Sequence, residues 1–464
     1  MTDNLQPVIV GAGPAGVRAA QTLVRHGLRP VVLDESVRWG GQIYRQPPAH
    51  FQRSKKVLYG FDASRAESVH DTMAGLLPHI DYQPDTLVWN AEGGKLDVLR
   101  HGQTATVNYT HLILATGATD RVLPVPGWTI PGVFTLGGAQ VALKFQGCAI
   151  GRHVVLMGTG PLLYLIAYQY AKAGAHVAAV LDTATLMDQV AALPALVQQP
   201  AVLAKGLYYV GWLRAHGVRM QGGVQPLRVL GDSRVSGVEW RDAQGEHNLA
   251  CDAVALGYGL RSETQLADIL GCRFYFDELQ RAWLPERDAA GRTTVAGLYL
   301  AGDGAGILGA DAAESAGERA ALTLLADTGR VPEAVDGDRV LALDATLERA
   351  QRFRAGLERA FPFPAGWAAQ VQDEVVICRC EEVTAGELRR TAHATGAVEM
   401  NRLKALCRVG MGRCQGRMCG VAAAEVLAHC TGRSVEQVGR LRGQAPVKPI
   451  PFGVATVLAP EESA

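Results

Sequence analysis

The sequence predicts an α/β protein built on two parallel-sheet nucleotide-binding units followed by a small cysteine-bearing module. Three observations carry this reading: a glycine surplus, a strand–glycine turn–helix–strand unit that occurs twice, and cysteines crowded near the C-terminus. Glycine accounts for 53 of 464 residues, well above the ordinary share of about 7%. Such a surplus without a collagen period marks tight turns and close backbone approaches. Apolar residues make up 48%, which excludes disorder for most of the chain. Lys plus Arg number 45 and Asp plus Glu 45, so bulk electrostatics give no argument for a nucleic-acid partner. At about 150 residues per domain the length suggests about three domains.

The first unit opens with the apolar run Pro7–Val10, suited to a strand buried on both faces. Gly11-Ala-Gly-Pro-Ala-Gly16 follows, then a helix to about His26 and a second strand, Val31–Leu33, ending at Asp34. Asp34 lies 23 positions after Gly11. Gly11 permits the tight turn, Gly13 lets backbone approach a pyrophosphate, and Gly16 lets the helix pack against the strand. The helix start offers free N–H groups and a positive dipole end to the phosphates, while Asp34 is placed to accept from ribose hydroxyls.

The second unit reads His153–Met157, then Gly158-Thr-Gly-Pro-Leu-Leu163, a long apolar helix, and the strand Val177–Leu181 ending at Asp182. Asp182 stands 24 residues after Gly158, so the unit is an internal repeat. It departs at the third glycine position, where Leu163 is expected to hold the helix off the strand and disturb the phosphate turn. Gly158, Gly160 and Asp182 are its candidate ligand residues. NAD, another nucleotide such as ATP, or no ligand all remain open, and Asp182 would repel a 2′-phosphate.

Two further signals belong to the first unit: Leu112-Ile-Leu-Ala-Thr-Gly117, and Leu298-Tyr-Leu-Ala-Gly-Asp303 leading into a helix from about Gly304 to Ala321. An early G-x-G-x-x-G, a central A-T-G, an inserted second dinucleotide fold and a late A-G-D resemble the two-dinucleotide-binding-domain flavoproteins, over roughly residues 7 to 330. The resemblance implies FAD in the first fold. It assigns cofactor contacts to Gly11, Gly13, Pro14, Ala15, Gly16, Asp34, Glu35, Gly41, Gln42, Val88, Ala115, Thr116, Gly117, Gly302, Asp303 and Ala310. Asp303 matches the residue that holds the ribityl and phosphate region, and the helix start Gly309–Ala313 would aim its positive end at the flavin O2 side. Disulfide reductases of this fold carry a redox cysteine pair. Here Gly40–Gln46 contains no cysteine and the second fold no close cysteine pair, Cys251 and Cys272 being isolated, so thiol–disulfide exchange at the flavin is rejected.

The C-terminal fifth supplies different chemistry. Cys378-Arg-Cys380 is followed by Cys414-Gln-Gly-Arg-Met-Cys419, with Gly410, Gly412, Gly416 and Gly420 around the second pair. Two close thiol pairs can present four thiolates to one centre. The arrangement resembles the bacterioferritin-associated-ferredoxin-like 2Fe-2S domain, with structural zinc the alternative; Cys407 reads as a nearby spare thiol. Arg379, Arg402, Lys404, Arg408, Arg413 and Arg417 make the module locally basic, either as a solvated face or as charges that raise a cluster's potential.

The whole order resembles the FAD-binding large (α) subunits of heteromeric amino-acid and imino-acid dehydrogenases, among them opine oxidase α, D-hydroxyproline dehydrogenase α and the hydrogen cyanide synthase flavoprotein subunit. Its most particular segments are Gly40–Arg45, Gly158–Leu163 and Gly410–Cys419. The resemblance implies an oxidoreductase acting on C–N bonds. It further implies a partner flavoprotein (β) subunit that oxidises the substrate, with or without a small further subunit, and electrons passing through the cluster and FAD to an acceptor such as a quinone. No side chain reads as a convincing general base; His26 and His111 read as structural. The rivals are a self-contained NAD(P)H:acceptor reductase and a non-catalytic assembly subunit. The expected division is 1–125 with 285–335 for FAD, 126–284 for the inserted fold, 336–370 for a helical connector, 371–435 for the cluster module and 436–464 for a tail. With no secretory signal and no long apolar span in the sequence, the expected location is the bacterial cytoplasm, with peripheral attachment at the inner membrane left open.

Overall fold

The structure, a computed structural model, describes residues 5–48, 50–51, 53–330, 337–451 and 455–456. The junction 331–336 between the expected FAD fold and the connector, and the final part of the expected tail, lie outside the described residues.

Two five-stranded parallel sheets organise the chain. The first runs Leu298–Leu300, His111–Leu114, Pro7–Val10, Val31–Leu33, Asp81–Gln83. The second runs Arg219–Gln221, His176–Asp182, His153–Thr159, Ala253–Tyr258, Val133–Thr135. Both central strands are apolar along most of their length because helices and other strands cover both faces. The edge strand Leu298–Leu300 joins the first sheet only after the chain has completed the second. This return brings the A-G-D turn beside the glycine turn.

The helix Pro14–Arg25 buries Val17, Ala20 and Leu23 against the first sheet. The helix Ala310–Asp327 crosses it so closely that a Cβ on Gly317 would overlap the Ala15 carbonyl. An antiparallel meander flanks each sheet, Thr86–Asn108 for the first, extended to four strands by the parallel strand Ala455–Thr456, and the three-stranded Gln225–Ala250 for the second. A long helix, Gly337–Ala360, packs Gly356 against Ala195 and Leu196 of the helix Leu186–Leu196. It is also tied to Ala310–Asp327 by Arg319–Asp344 at 2.8 Å. The C-terminal module sets the short pair Val376–Cys378 and Val383–Thr384 against the helices Ala385–Thr395, Met400–Cys407 and Gly420–Thr431. Its core is continuous with that of the second sheet: Trp128 Nε1 donates to the Val376 carbonyl at 2.7 Å, and Trp367 Nε1 to the Pro124 carbonyl at 2.8 Å.

Candidate functional site

Close contact demands the first and last glycines of the first turn. Gly11 sits at φ +107°, and a Cβ there would overlap the Ala115 carbonyl; a Cβ on Gly16 would overlap the Gly11 carbonyl. Gly41, at φ +63°, lays its backbone on the turn, its built Cβ 3.0 Å from the Gly13 Cα. The helix begins with Pro14 at its first turn and has no side-chain cap. Its leading N–H groups are therefore available to an anion. Asp34 is buried at the end of its strand and accepts from the Ala12 N–H at 2.5 Å and the Ser36 N–H at 2.6 Å. Burial raises its pKa, partly offset by these two backbone donors. Each carboxylate oxygen retains a lone pair for a ribose hydroxyl.

Several of the other predicted residues meet at this turn. Ala115 closes its strand and donates to the Val10 carbonyl at 2.8 Å. Thr116 and Gly117 meet the A-G-D turn, where a Cβ on Gly304 would lie 2.7 Å from Thr116 Oγ1, and one on Gly302 2.9 Å from the Ala15 Cβ. Asp303 Oδ1 accepts from the Leu308 and Gly309 N–H groups, each at 2.9 Å. This holds the entry to the helix that starts at Ala310, itself without a side-chain cap. Gln42 is exposed and accepts from Arg45 at 2.7 Å. Val88 is buried in the flanking meander opposite Val98, two residues beyond Thr86, whose N–H donates to the Asp34 carbonyl at 2.9 Å. Glu35 is exposed and ion-paired with Lys448.

The second turn has the same outline and different side-chain chemistry. Gly158, at φ +143°, is held against Gly257, and Gly160 takes φ +109° at the helix start. Leu163 is fully buried in the core beneath the helix Pro161–Lys172. Asp182 is also fully buried. Its carboxylate accepts from the Tyr164 hydroxyl at 2.8 Å and the Ala184 N–H at 2.9 Å, and burial pushes its pKa up to about 6. The Asp182 side chain is thus hydrogen-bonded to the helix of its own unit. Position 164 is the residue immediately after the substituted glycine, so the closure begins where the motif breaks.

In the C-terminal module the four predicted cysteines come together. Cys378 ends its strand, Cys419 precedes the helix Gly420–Thr431, and a Cβ on Gly412 would overlap that of Cys380. Their thiols interact in the order Cys378, Cys419, Cys414, Cys380. The interaction with Cys419 lowers Cys378 to about 6 and Cys414 to about 5. Among the described residues no three His, Cys, Asp or Glu side chains converge on a single metal ion. Cys407 is buried and donates to the Leu403 carbonyl of its own helix at 3.2 Å.

The loop Cys414–Cys419 docks on residues 261–265, a segment whose local sequence carries no motif. Arg417 Nε reaches Glu263 at 2.7 Å in a largely buried pair. Arg261 donates to the Arg417 carbonyl at 3.1 Å and Gln265 to the Gln415 carbonyl at 2.6 Å. Burial pushes the Glu263 pKa up, yet the Arg417 and Arg261 cations outweigh it and hold the carboxyl below its ordinary value. The same segment contacts the first site: Thr116 Oγ1 donates to the Glu263 carbonyl at 2.6 Å, and Ser262 Oγ to the Asp303 carbonyl at 2.6 Å. Arg417 therefore lies at an interior junction and not on a solvated face, whereas Arg413 is exposed. Nothing around 261–265 announces this role, because its partners in the cysteine loop are about 150 residues away.

Residues 5–320 match the family model for pyridine nucleotide-disulphide oxidoreductases, and residues 374–458 the sarcosine oxidase A3 domain. The chain belongs to the first of these families, with its FAD-binding oxidoreductase fold. An opine oxidase subunit from Agrobacterium tumefaciens is 37% identical, over 97% of this chain and 91% of that protein. The hydrogen cyanide synthase subunit HcnB of Pseudomonas aeruginosa is 36% identical, over 99% of this chain and 100% of that protein. The chain belongs to the family of these subunits and is an oxidoreductase. The solved L-proline dehydrogenase of P. horikoshii shares the fold, with a TM-score of 0.69 at 19% identity over 97% of this chain and 79% of that one. Among the described residues no helix is long and apolar enough to cross a membrane.

Proposed function

We propose that this chain is the electron-relaying flavoprotein subunit of a heteromeric amino-acid or imino-acid dehydrogenase, holding FAD at the first glycine turn and a 2Fe-2S cluster at Cys378, Cys380, Cys414 and Cys419. The observation that carries the reading is the junction at residues 261–265. It touches the cysteine loop through Arg417, Gly416 and Gln415 and the first site through Thr116 and Asp303.

The residues present fit both groups. The cradle at Gly11 and Gly16 has no room for side chains, and the uncapped helix start at Pro14 offers donors to a pyrophosphate. Asp34 orients an adenosine ribose, and Asp303 shapes the turn that presents the Ala310 helix start. Four cysteines in two pairs suit a two-iron centre, in which each iron takes two thiolates. When bound, FAD supplies two-electron chemistry and the cluster one-electron transfer. This chain's own part would be to hold the two groups apart across a junction that contains the largely buried Glu263–Arg417 pair.

The relatives support the assembly: they are subunits, one of an opine oxidase and one of a hydrogen cyanide synthase. We assign C–N oxidation to a partner flavin subunit, with opines, hydroxyproline or proline, and glycine as candidate substrates and a quinone as a candidate acceptor. The inward-facing Asp182 counts against a self-contained NAD(P)H reductase.

The test is a visible and EPR spectrum of the purified chain, oxidised and then reduced with dithionite. The expected result is flavin absorption with a broad iron–sulfur shoulder and a rhombic one-electron signal on reduction. Flavin bands with stoichiometric zinc and no such signal would overturn the cluster. Flavin bleaching by NADH alone would restore the reductase reading.

A further inference from the structure

We infer that a pocket beside the Gly40–Arg45 loop is a binding site for an organic carboxylate with an apolar or aromatic body, held by the buried ammonium of Lys144. This inference goes beyond the redox reading and stands without it.

The pocket, a cleft open to solvent, is lined by Arg53, Lys144 and Lys172, by Tyr59, Tyr168 and Tyr209, and by leucines between them. Its lining contains three cations and no carboxylate. Lys144 is the deepest, with 3% of its surface exposed. It lies in the widened turn Ala142–Gln146 that continues the helix Leu136–Val141, a π-type irregularity of the sort that often re-aims a side chain at a functional site. Its Nζ donates to the Ile43 carbonyl at 3.0 Å and sits 5.8 Å from the centre of the Tyr59 ring. Among the described residues no carboxylate lies within ion-pair distance of Lys144, Lys172 or Arg53. The nearby Asp62 is already paired with Lys205 at 2.6 and 2.7 Å.

A lysine taken out of water without a counter-charge is costly, and proteins ordinarily pair it or let it deprotonate. Burial lowers the Lys144 pKa to about 8, which still leaves the ammonium predominant at neutral pH. A ligand anion at Nζ would supply the missing charge and occupy the remaining donor positions. The rest of the wall selects the anion. Tyrosine rings and leucines offer contact to a hydrocarbon body. The base carries a point-charge ammonium without the ring of backbone N–H groups that phosphate recognition usually employs, and the guanidinium in the lining, that of Arg53, lies over the Phe51 ring at 5.1 Å from its centre. Lys172, beside the Tyr168 hydroxyl at 3.1 Å, stands at the exposed mouth to attract the anion.

The experiment is calorimetric titration of the full chain at pH 7 with benzoate, and separately with inorganic phosphate. Saturable benzoate binding is expected, with phosphate failing to displace it. Lys144→Met should weaken benzoate by about tenfold or more, the loss expected for one charge-assisted hydrogen bond, and Lys144→Arg by less. Lys172→Glu, at an exposed position where folding is retained, should also weaken it severalfold. Benzoate that fails to saturate, phosphate that displaces it, or affinity unchanged in Lys172→Glu would each overturn the inference.

Discussion

The two glycine turns of this chain start from nearly the same motif and end as opposite devices. In the first, Asp34 accepts from the Ala12 N–H of the turn itself, so the acid and the glycines form one open cradle. In the second, Asp182 accepts from the Tyr164 hydroxyl on the helix, so the acid is covered. The first is also wired to the cysteine loop, through Glu263 and Ser262. The comparison teaches that the side chains gathered around a glycine turn change with its third position. Where Gly16 admits the helix to the strand, Leu163 fills that space with core and puts a tyrosine over the acid.

The most drastic way to break the difference is to write the second motif into the first. Gly16→Leu should collide with the Gly11 carbonyl, and by analogy with severe overpacking should cost several kcal/mol, roughly 3 or more. Chain purified from such a variant is expected to lack flavin absorption, and full flavin content would refute the cradle.

Next in size is the junction that only the first unit has. Glu263→Ala leaves Arg417 buried without its partner, a change that costs about 3–5 kcal/mol when a buried pair loses one member. Thermal unfolding should drop accordingly. In Glu263→Gln, which keeps the shape, re-oxidation of the reduced cluster measured by freeze-quench EPR should slow relative to the parent. An unchanged rate would separate the junction from electron transfer.

The third prediction concerns the covered acid. The pKa of Asp182 in the folded chain, about 6, lies above the ordinary 3.8. Its stabilising contribution is therefore fully present below about pH 4 and is lost as pH rises through about 6. Asp182→Asn retains acceptance from Tyr164 and removes the buried charge. It should be the more stable protein at pH 7, by on the order of 2 kcal/mol, with the advantage shrinking toward pH 4. Melting temperatures of both proteins across that range decide it, and a pH-independent difference would contradict the burial argument. The smallest effect is expected from Tyr164→Phe, which takes one donor from Asp182 and should cost about 1–2 kcal/mol without changing flavin content.

Much of this was legible residue by residue. The apolar runs Pro7–Val10 and His153–Met157, the spacings to Asp34 and Asp182, and the Leu163 departure all appear in the local sequence, because strand burial and glycine turns are set by a few adjacent residues. The pairing of Cys378 and Cys380 with Cys414 and Cys419 was legible for a similar reason: close cysteine pairs framed by glycines have few other uses. Two predicted residues have side chains engaged within the protein. Glu35 follows Asp34 in the chain but turns outward to Lys448, and Val88 belongs to the meander core. Neither orientation is encoded within a few residues of the position.

By itself, then, the sequence determined the two parallel-sheet units, their order, and the residue types available for nucleotide and thiolate chemistry, since these depend on periodicity and spacing along the chain. Only the tertiary structure decided which hydrogen bonds each acid makes, which arginine meets Glu263, and that Lys144 is buried beside three tyrosines with no carboxylate of the described residues within ion-pair distance. Those outcomes depend on contacts between residues from about 18 to more than 150 positions apart. Burial and charge balance at such contacts are properties of the packed molecule and not of any window of the chain.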